Sequence, residues 1–155
     1  MTTRSIKLPD RMSVPFLTDS KPALAAVCAA YSDSALAEVA GVTAGVRKKV
    51  SGYASQDKRQ GRPHGNNAAK ADVIEMLVAS KMRCCYCRSG LVVDGGYRQW
   101  TLDRIDNDAS HTRDNCVVSC LLCNLERRRM DHDRFTRGKR LTVARSGHPS
   151  LGPEP

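Results

Sequence analysis

Aromatic side chains are scarce in this chain, with one tryptophan, four tyrosines and two phenylalanines among 155 residues. Large aromatics supply much of what a small core buries, so a compact segment of this composition is marginal on hydrophobic burial alone and needs a second source of order. Long apolar runs are missing as well. No stretch approaches the roughly 20 apolar residues of a membrane span, and no apolar signal core follows the first charges of the N-terminus. The expectation is a protein with no membrane association that is not secreted and resides in the cytoplasm. Acid is short relative to base: 16 Asp and Glu face 25 Lys and Arg, for a formal net charge of +9.

What the chain does have is cysteine. There are seven, an odd number that suits a disulfide framework poorly and a reducing compartment well. Four of them form two Cys-x-x-Cys pairs, Cys84/Cys87 and Cys120/Cys123. Two such short turns can each present two thiolates to one ion, so a structural tetrahedral zinc site is expected, with the metal cross-link standing in for missing core. The interval that matches the second pair selects Cys84 with Cys87 and leaves Cys85 spare. Cys28 and Cys116 read as small core residues.

The basic excess is clustered. Arg47 to Arg62 holds six basic residues against Asp57, and Arg127 to Arg140 holds seven against Asp131 and Asp133. Such clusters beside a compact metal module suit a polyanionic partner, nucleic acid and DNA first, because each phosphate neutralised releases condensed counterions. Solvated charged faces that only keep the chain soluble are the alternative.

Along the chain, residues 1–19 carry Pro9 and Pro15 without periodicity and read as a disordered lead-in. Residues 20–67 read as a helical segment with a basic loop. A Ser20 cap and alanine-rich residues predict a helix to Tyr31, and Ser34 to Val50 reads either as a helical hairpin or as an imperfect helix-turn-helix that would bind DNA. Ser51 to Asn67, with Gly52, Gly61, Pro63 and Gly65 among Lys58, Arg59 and Arg62, has loop composition. Asn67 then caps a helix over 68–82 whose Val73, Ile74, Leu77 and Val78 share a face. Leu91 to Tyr97 reads as a short strand and glycine turn, Gln99 to Ile105 as a second strand, Cys116 to Ser119 as its partner, and Leu121 to Met130 as helix. The core module spans 68–136, and 137–155 reads as a mobile basic tail.

The order of features between the cysteine pairs is specific. A strand ends in Leu102-Asp-Arg-Ile-Asp106, a loop follows, Asp114-Asn115 opens the return strand, and Cys-x-x-Cys-Asn124 begins a helix. Over about Ala71 to Arg129 this closely resembles the zinc-stabilised HNH, or ββα-metal, endonucleases, and is nearest to their phage-type branch with a Leu-Asp-Arg-Ile-Asp motif. The resemblance implies an α+β fold: a small treble-clef-like ββα-metal module preceded by helices. It implies that Asp103 and Asn124 hold one Mg²⁺ or Mn²⁺ at the phosphodiester, and that Asn115 ties the loop by side-chain bonds to backbone. It departs from the family at Arg104, where better-known members place the histidine that deprotonates the attacking water. Arginine stays protonated and cannot do this. His111 is the first substitute base, Asp106 the second, and a metal-activated water needing no protein base the third; Arg104 would instead clamp a phosphate. Arg127, Arg128 and Arg129, with Lys58, Arg59 and Arg62, are the expected nucleic-acid contacts. Double-strand cutting by a one-site subunit would require a homodimer. Two function classes follow, a metal-dependent DNA endonuclease and a noncatalytic zinc module that binds nucleic acid; a reader of DNA built from the N-terminal helices is a third.

Overall fold

Val42, Val46, Val50, Tyr53 and Asp57 recur at steps of three and four, the spacing of one helix face, and a single helix, α1, runs Ala37–Arg59. This corrects two expectations, since neither a hairpin nor a helix-turn-helix break interrupts it, and the loop expected from Ser51 starts only after Arg59. Gly45 and Gly52 each cost about 1 kcal/mol against alanine in a helix. Burying a large apolar side chain contributes about 1.5–3 kcal/mol, and the stripe supplies several of them, so the helix continues through both glycines. The computed structural model describes residues 25, 27, 28, 37–63 and 65–146. The lead-in at 1–19, most of the helix expected over 20–31, and 147–155 of the tail lie outside the described residues.

α2 spans Lys70–Ala79 and buries Val73, Ile74 and Leu77. Its start differs from expectation: Asp72 accepts the Ala69 N–H at 2.8 Å, while Asn67, the expected cap, donates instead to Asp57 Oδ2 at 2.6 Å. The strand expected over Leu91 to Val93 does not form. Only isolated bridges, Arg83 with Gly90 and Val92 with Gln99, occur there. The glycine turn does form, with Gly95 and Gly96 at φ +83° and +66°, a left-handed succession that side chains resist.

β1 (Trp100–Arg104) and β2 (Cys116–Cys120) pair antiparallel, with Trp100 opposite Cys120 and Arg104 opposite Cys116. α3 (Leu121–Arg127) leaves β2 directly, and α4 (His132–Ser146) follows after a turn in which Arg128 takes φ +52°. Asp131 caps α4 by accepting the Arg134 N–H at 2.9 Å, and the helix passes Gly138, where the mobile tail was expected to have begun. Apart from the helical residues at 25, 27 and 28, the described residues form four helices and one two-stranded sheet. The core joins Val42 and Val46 of α1, Leu77 of α2, Met82, Tyr86 between the first cysteine pair, Trp100 and Leu102 of β1, and Val118 of β2. Among the described residues no helix is long and apolar enough to cross a membrane.

Candidate metal centre and the two faces of the first strand

The first knuckle turns because Arg88 adopts φ +61° and donates its N–H to the Cys84 carbonyl at 3.0 Å. The second turns where β2 runs into α3: Cys120 caps the helix, its sulfur accepting the Cys123 N–H at 3.4 Å. The Cys85 N–H bonds the Val118 carbonyl at 3.0 Å and holds the first knuckle against β2. The sulfurs of Cys84, Cys87, Cys120 and Cys123 consequently lie within 4.8 Å of one another, with Cys87 Sγ 3.9 Å from Cys120 Sγ. Tetrahedral zinc with Zn–S near 2.3 Å has S–S edges of about 3.8 Å, so the donor set and its spacing fit the ion. Cys85 stays outside the cluster, and Cys116 is buried in the core. Hydrogen bonds from Cys120 and Cys123 hold the Cys87 thiol below its ordinary value, and a +2 ion would stabilise all four thiolates together.

Successive side chains of a strand point to opposite faces, and β1 puts Asp103 and Arg104 on different sides. On one side Asp103 is buried, with Oδ1 accepting from Arg127 Nη1 at 2.8 Å and Oδ2 from the Tyr86 hydroxyl at 2.8 Å. Burial pushes the Asp103 carboxyl up; the Tyr86 hydroxyl and the Arg127 charge oppose it. Arg127 also donates to the carbonyls of Arg104 (2.7 Å) and Ile105 (2.9 Å). It was expected to face a bound backbone, and its side chain is instead fully buried. A guanidinium that satisfies one carboxylate and two carbonyls at a strand end binds those groups in preference to solvent. His132 is half-buried with Nδ1 3.1 Å from the Tyr86 hydroxyl.

Asn124 bonds the neighbouring residues of β1, its Nδ2 donating to Thr101 Oγ1 at 3.1 Å and to the Leu102 carbonyl at 3.3 Å. A hard cation needs open oxygen ligands. Here both oxygens of Asp103 are engaged and a guanidinium supplies the countercharge, so Asp103 as arranged does not fit Mg²⁺ or Mn²⁺.

The other face carries a different cluster. Asp57, in the last turn of α1, is fully buried. It accepts the His111 N–H at 2.8 Å, lies 3.0 Å from His111 Nδ1, and also takes Asn67 Nδ2 at 2.6 Å and Arg62 Nη1 at 3.2 Å. Arg104 Nη1 stands 3.7 Å away. His111 itself is 4 % exposed, and its ring stacks on Tyr53 at 4.5 Å and 20°. Asn115 closes the loop above: Oδ1 accepts the Asp106 N–H at 2.9 Å, and Nδ2 donates to the carbonyls of Asp106 (3.0 Å) and Ser110 (2.9 Å). Asp106 is exposed, its Oδ1 accepting the Asp108 N–H at 2.9 Å in a turn of that loop.

The structure thus sets both Asp103 and Asn124 between β1 and α3, and places His111 with Arg104 at Asp57. Lys58, Arg59, Arg128 and Arg129 are exposed and Arg62 is half-buried; Arg129 pairs with Asp108 at 2.8 Å. Sequence reasoning missed Asp57, Tyr53 and Tyr86 as site residues. A signal for Asp57 existed: it is the lone acid of the Arg47–Arg62 basic run and falls in phase with the apolar stripe. Comparison with protein-family models, with curated proteins and with solved structures finds no match for this chain.

Proposed function

We propose that this chain is a zinc-stabilised module that binds DNA and hydrolyses its phosphodiester backbone. The observation that carries the reading is the frame: strand, side-chain-tied loop, strand and helix, closed by a four-cysteine cluster, in the order that the HNH resemblance implies. That frame offers buried, oriented polar side chains at a loop edge, which is what positioning a phosphodiester requires. The exposed basic residues at the end of α1 and after α3 suit an anionic backbone approaching the same edge.

A second reading, a noncatalytic nucleic-acid-binding module, is favoured by the Asp103–Arg127 pair, which fills the place the resemblance gives to a divalent ion. The two separate in one assay. Zinc-loaded protein is incubated with supercoiled plasmid and with single-stranded and branched DNA, in Mg²⁺, Mn²⁺ or EDTA. The nuclease reading expects nicked or linear product from the zinc-loaded wild type. Salt-sensitive binding without cleavage under every condition would establish the second reading instead.

A further inference from the structure

Resting on the nuclease reading, we infer that the reactive centre lies on the α1 face of β1, where His111, oriented by Asp57, is the general base and Arg104 and Arg62 hold the phosphate. Asp57 is fully buried at the end of α1 and receives both the backbone N–H and Nδ1 of His111. A carboxylate can only accept, so the shared proton sits on Nδ1 and leaves Nε2 with its lone pair. Among the described residues nothing bonds Nε2. The Tyr53 ring, stacked at 4.5 Å, fixes the imidazole plane. A buried carboxylate that fixes the tautomer and direction of an imidazole is the arrangement by which a histidine is made a directed base.

The charges around it favour an anion. Arg62 and Arg104, with side chains 10 % and 12 % exposed, both reach the single carboxylate of Asp57. Both guanidiniums stand at the carboxylate that orients His111, and guanidinium donors match phosphate oxygens. Burial, then the positive charges of Arg104 and Arg62, lower the His111 pKa against the pull of Asp57, which keeps the ring unprotonated at neutral pH. The groups facing the ring are Asp57 and Tyr53 from α1, Arg62 from the turn after it and Arg104 from β1.

The step is a hydrolysis and balances with one water. Nε2 of His111 takes a proton as the water oxygen bonds phosphorus; the P–O ester bond breaks, the leaving oxygen takes a proton from solvent, and His111 returns its proton to solvent. Arg104 and Arg62 hold the non-bridging oxygens as negative charge gathers on them. Asp57 acts through His111 and is a positioning residue. Arg104 on this reading occupies a phosphate subsite, which gives a role to the residue that replaces the family histidine.

The test uses the zinc-loaded full chain. Plasmid cleavage rates are measured from pH 5 to 9 for wild type, His111→Gln, Asp57→Asn and Arg104→Gln, with zinc content and circular dichroism verifying the fold. Loss of a general base lowers the rate by about 10²–10⁴-fold, so His111→Gln is expected to fall by at least about a hundredfold and to lose the acid limb of the profile. Asp57→Asn removes the charge that raises the imidazole pKa, so its limb moves to lower pH as the plateau drops; a purely structural role leaves the limb in place. Arg104→Gln raises KM more than it lowers kcat. In ¹⁵N-edited spectra of wild type, His111 is expected as the Nδ1–H tautomer, and this readout needs no turnover. An Nε2–H tautomer, or cleavage by His111→Gln at the wild-type rate, overturns the inference alone. Failure of wild type to cleave any DNA overturns the parent reading and this one with it.

Discussion

At the scale of single residues, Arg127 does the most and was the least visible. In sequence it is the first of three consecutive arginines, indistinguishable from its neighbours. The fold separates them: Arg127 is 1 % exposed, while Arg128 and Arg129 stay in solvent. Its Nη1 holds Asp103 and the Arg104 carbonyl, and Nη2 holds the Ile105 carbonyl, so one side chain ties α3 to the end of β1. Breaking a buried pair by deleting one partner costs about 3–5 kcal/mol, because the remaining charge has no compensation. Arg127→Met is therefore expected to lose about that much stability in urea unfolding. Adding Asp103→Asn should recover part of it by neutralising the orphaned acid; an additive double variant would refute the pairing. Lysine is no substitute here, since a single ammonium cannot span a carboxylate and two carbonyls.

The elements divide into those that local pattern specifies and those that packing decides. Both strands, α3 and the metal ligands were legible because β-branched runs, Asn115 and the Cys-x-x-Cys spacing act over a few residues. α1 was not, because Gly45 and Gly52 signal breaks locally while the stripe from Val42 to Asp57 only emerges over four turns. Leu91 to Val93 read as strand from its β-branched residues, yet a strand needs a partner, and the glycine turn leaves it only bridges. The destination of the Asp57 carboxylate was likewise settled by tertiary packing, since His111 lies 54 residues away.

That long-range bond makes the docking of α1 sensitive to acid. Burial raises the Asp57 pKa, but the backbone and side-chain hydrogen bonds from His111 and the one from Asn67 outweigh it and hold the value below 3.8. A depressed carboxylate contributes stability that is present above its unfolded value and lost as pH falls through the folded one. His111 is held below 6.5, chiefly by burial. Below that pH the unfolded chain takes up the proton first, which also favours unfolding as acidity rises. Both signs agree: stability should decline from pH 6.5 downward. Asp57→Asn should be destabilised at pH 7, with the gap to wild type closing as Asp57 itself protonates below pH 4. Thermal melts followed by circular dichroism across pH 7.5 to 3 measure both, and a constant gap would contradict the account.

For the whole molecule, the cysteine cluster is where the separate pieces become one structure. Its knuckles precede β1 and follow β2, so an ion held there would clamp the start of the module to its end, while Lys49 reaches down from α1 over Trp100 at 4.3 Å and Phe135 of α4 meets Tyr86 edge-on at 4.9 Å. Apparent zinc binding in small folded-on-metal modules is worth about 10–16 kcal/mol, which exceeds the stability of a typical domain, about 5–15 kcal/mol, or is comparable to it. A strong chelator at neutral pH is therefore expected to release one zinc per chain, expose Trp100 as a red shift in fluorescence, and collapse the cooperative melt. Retention of the native spectrum after complete zinc removal would show that the apolar core suffices alone.

The separation of the two knuckles along the chain carries a kinetic consequence. Cys87 and Cys120 are 33 residues apart, and bringing such distant points together costs closure entropy before any contact rewards it. Either knuckle alone offers zinc only two sulfurs, so a loaded half-site would have to wait for the other to arrive. The rate of refolding should then rise with free zinc and level off once a knuckle is saturated, and the lifetime of the native state should follow the escape of the ion. Metal supply, on this view, acts as a timer on when the chain becomes competent as well as a brace that keeps it so.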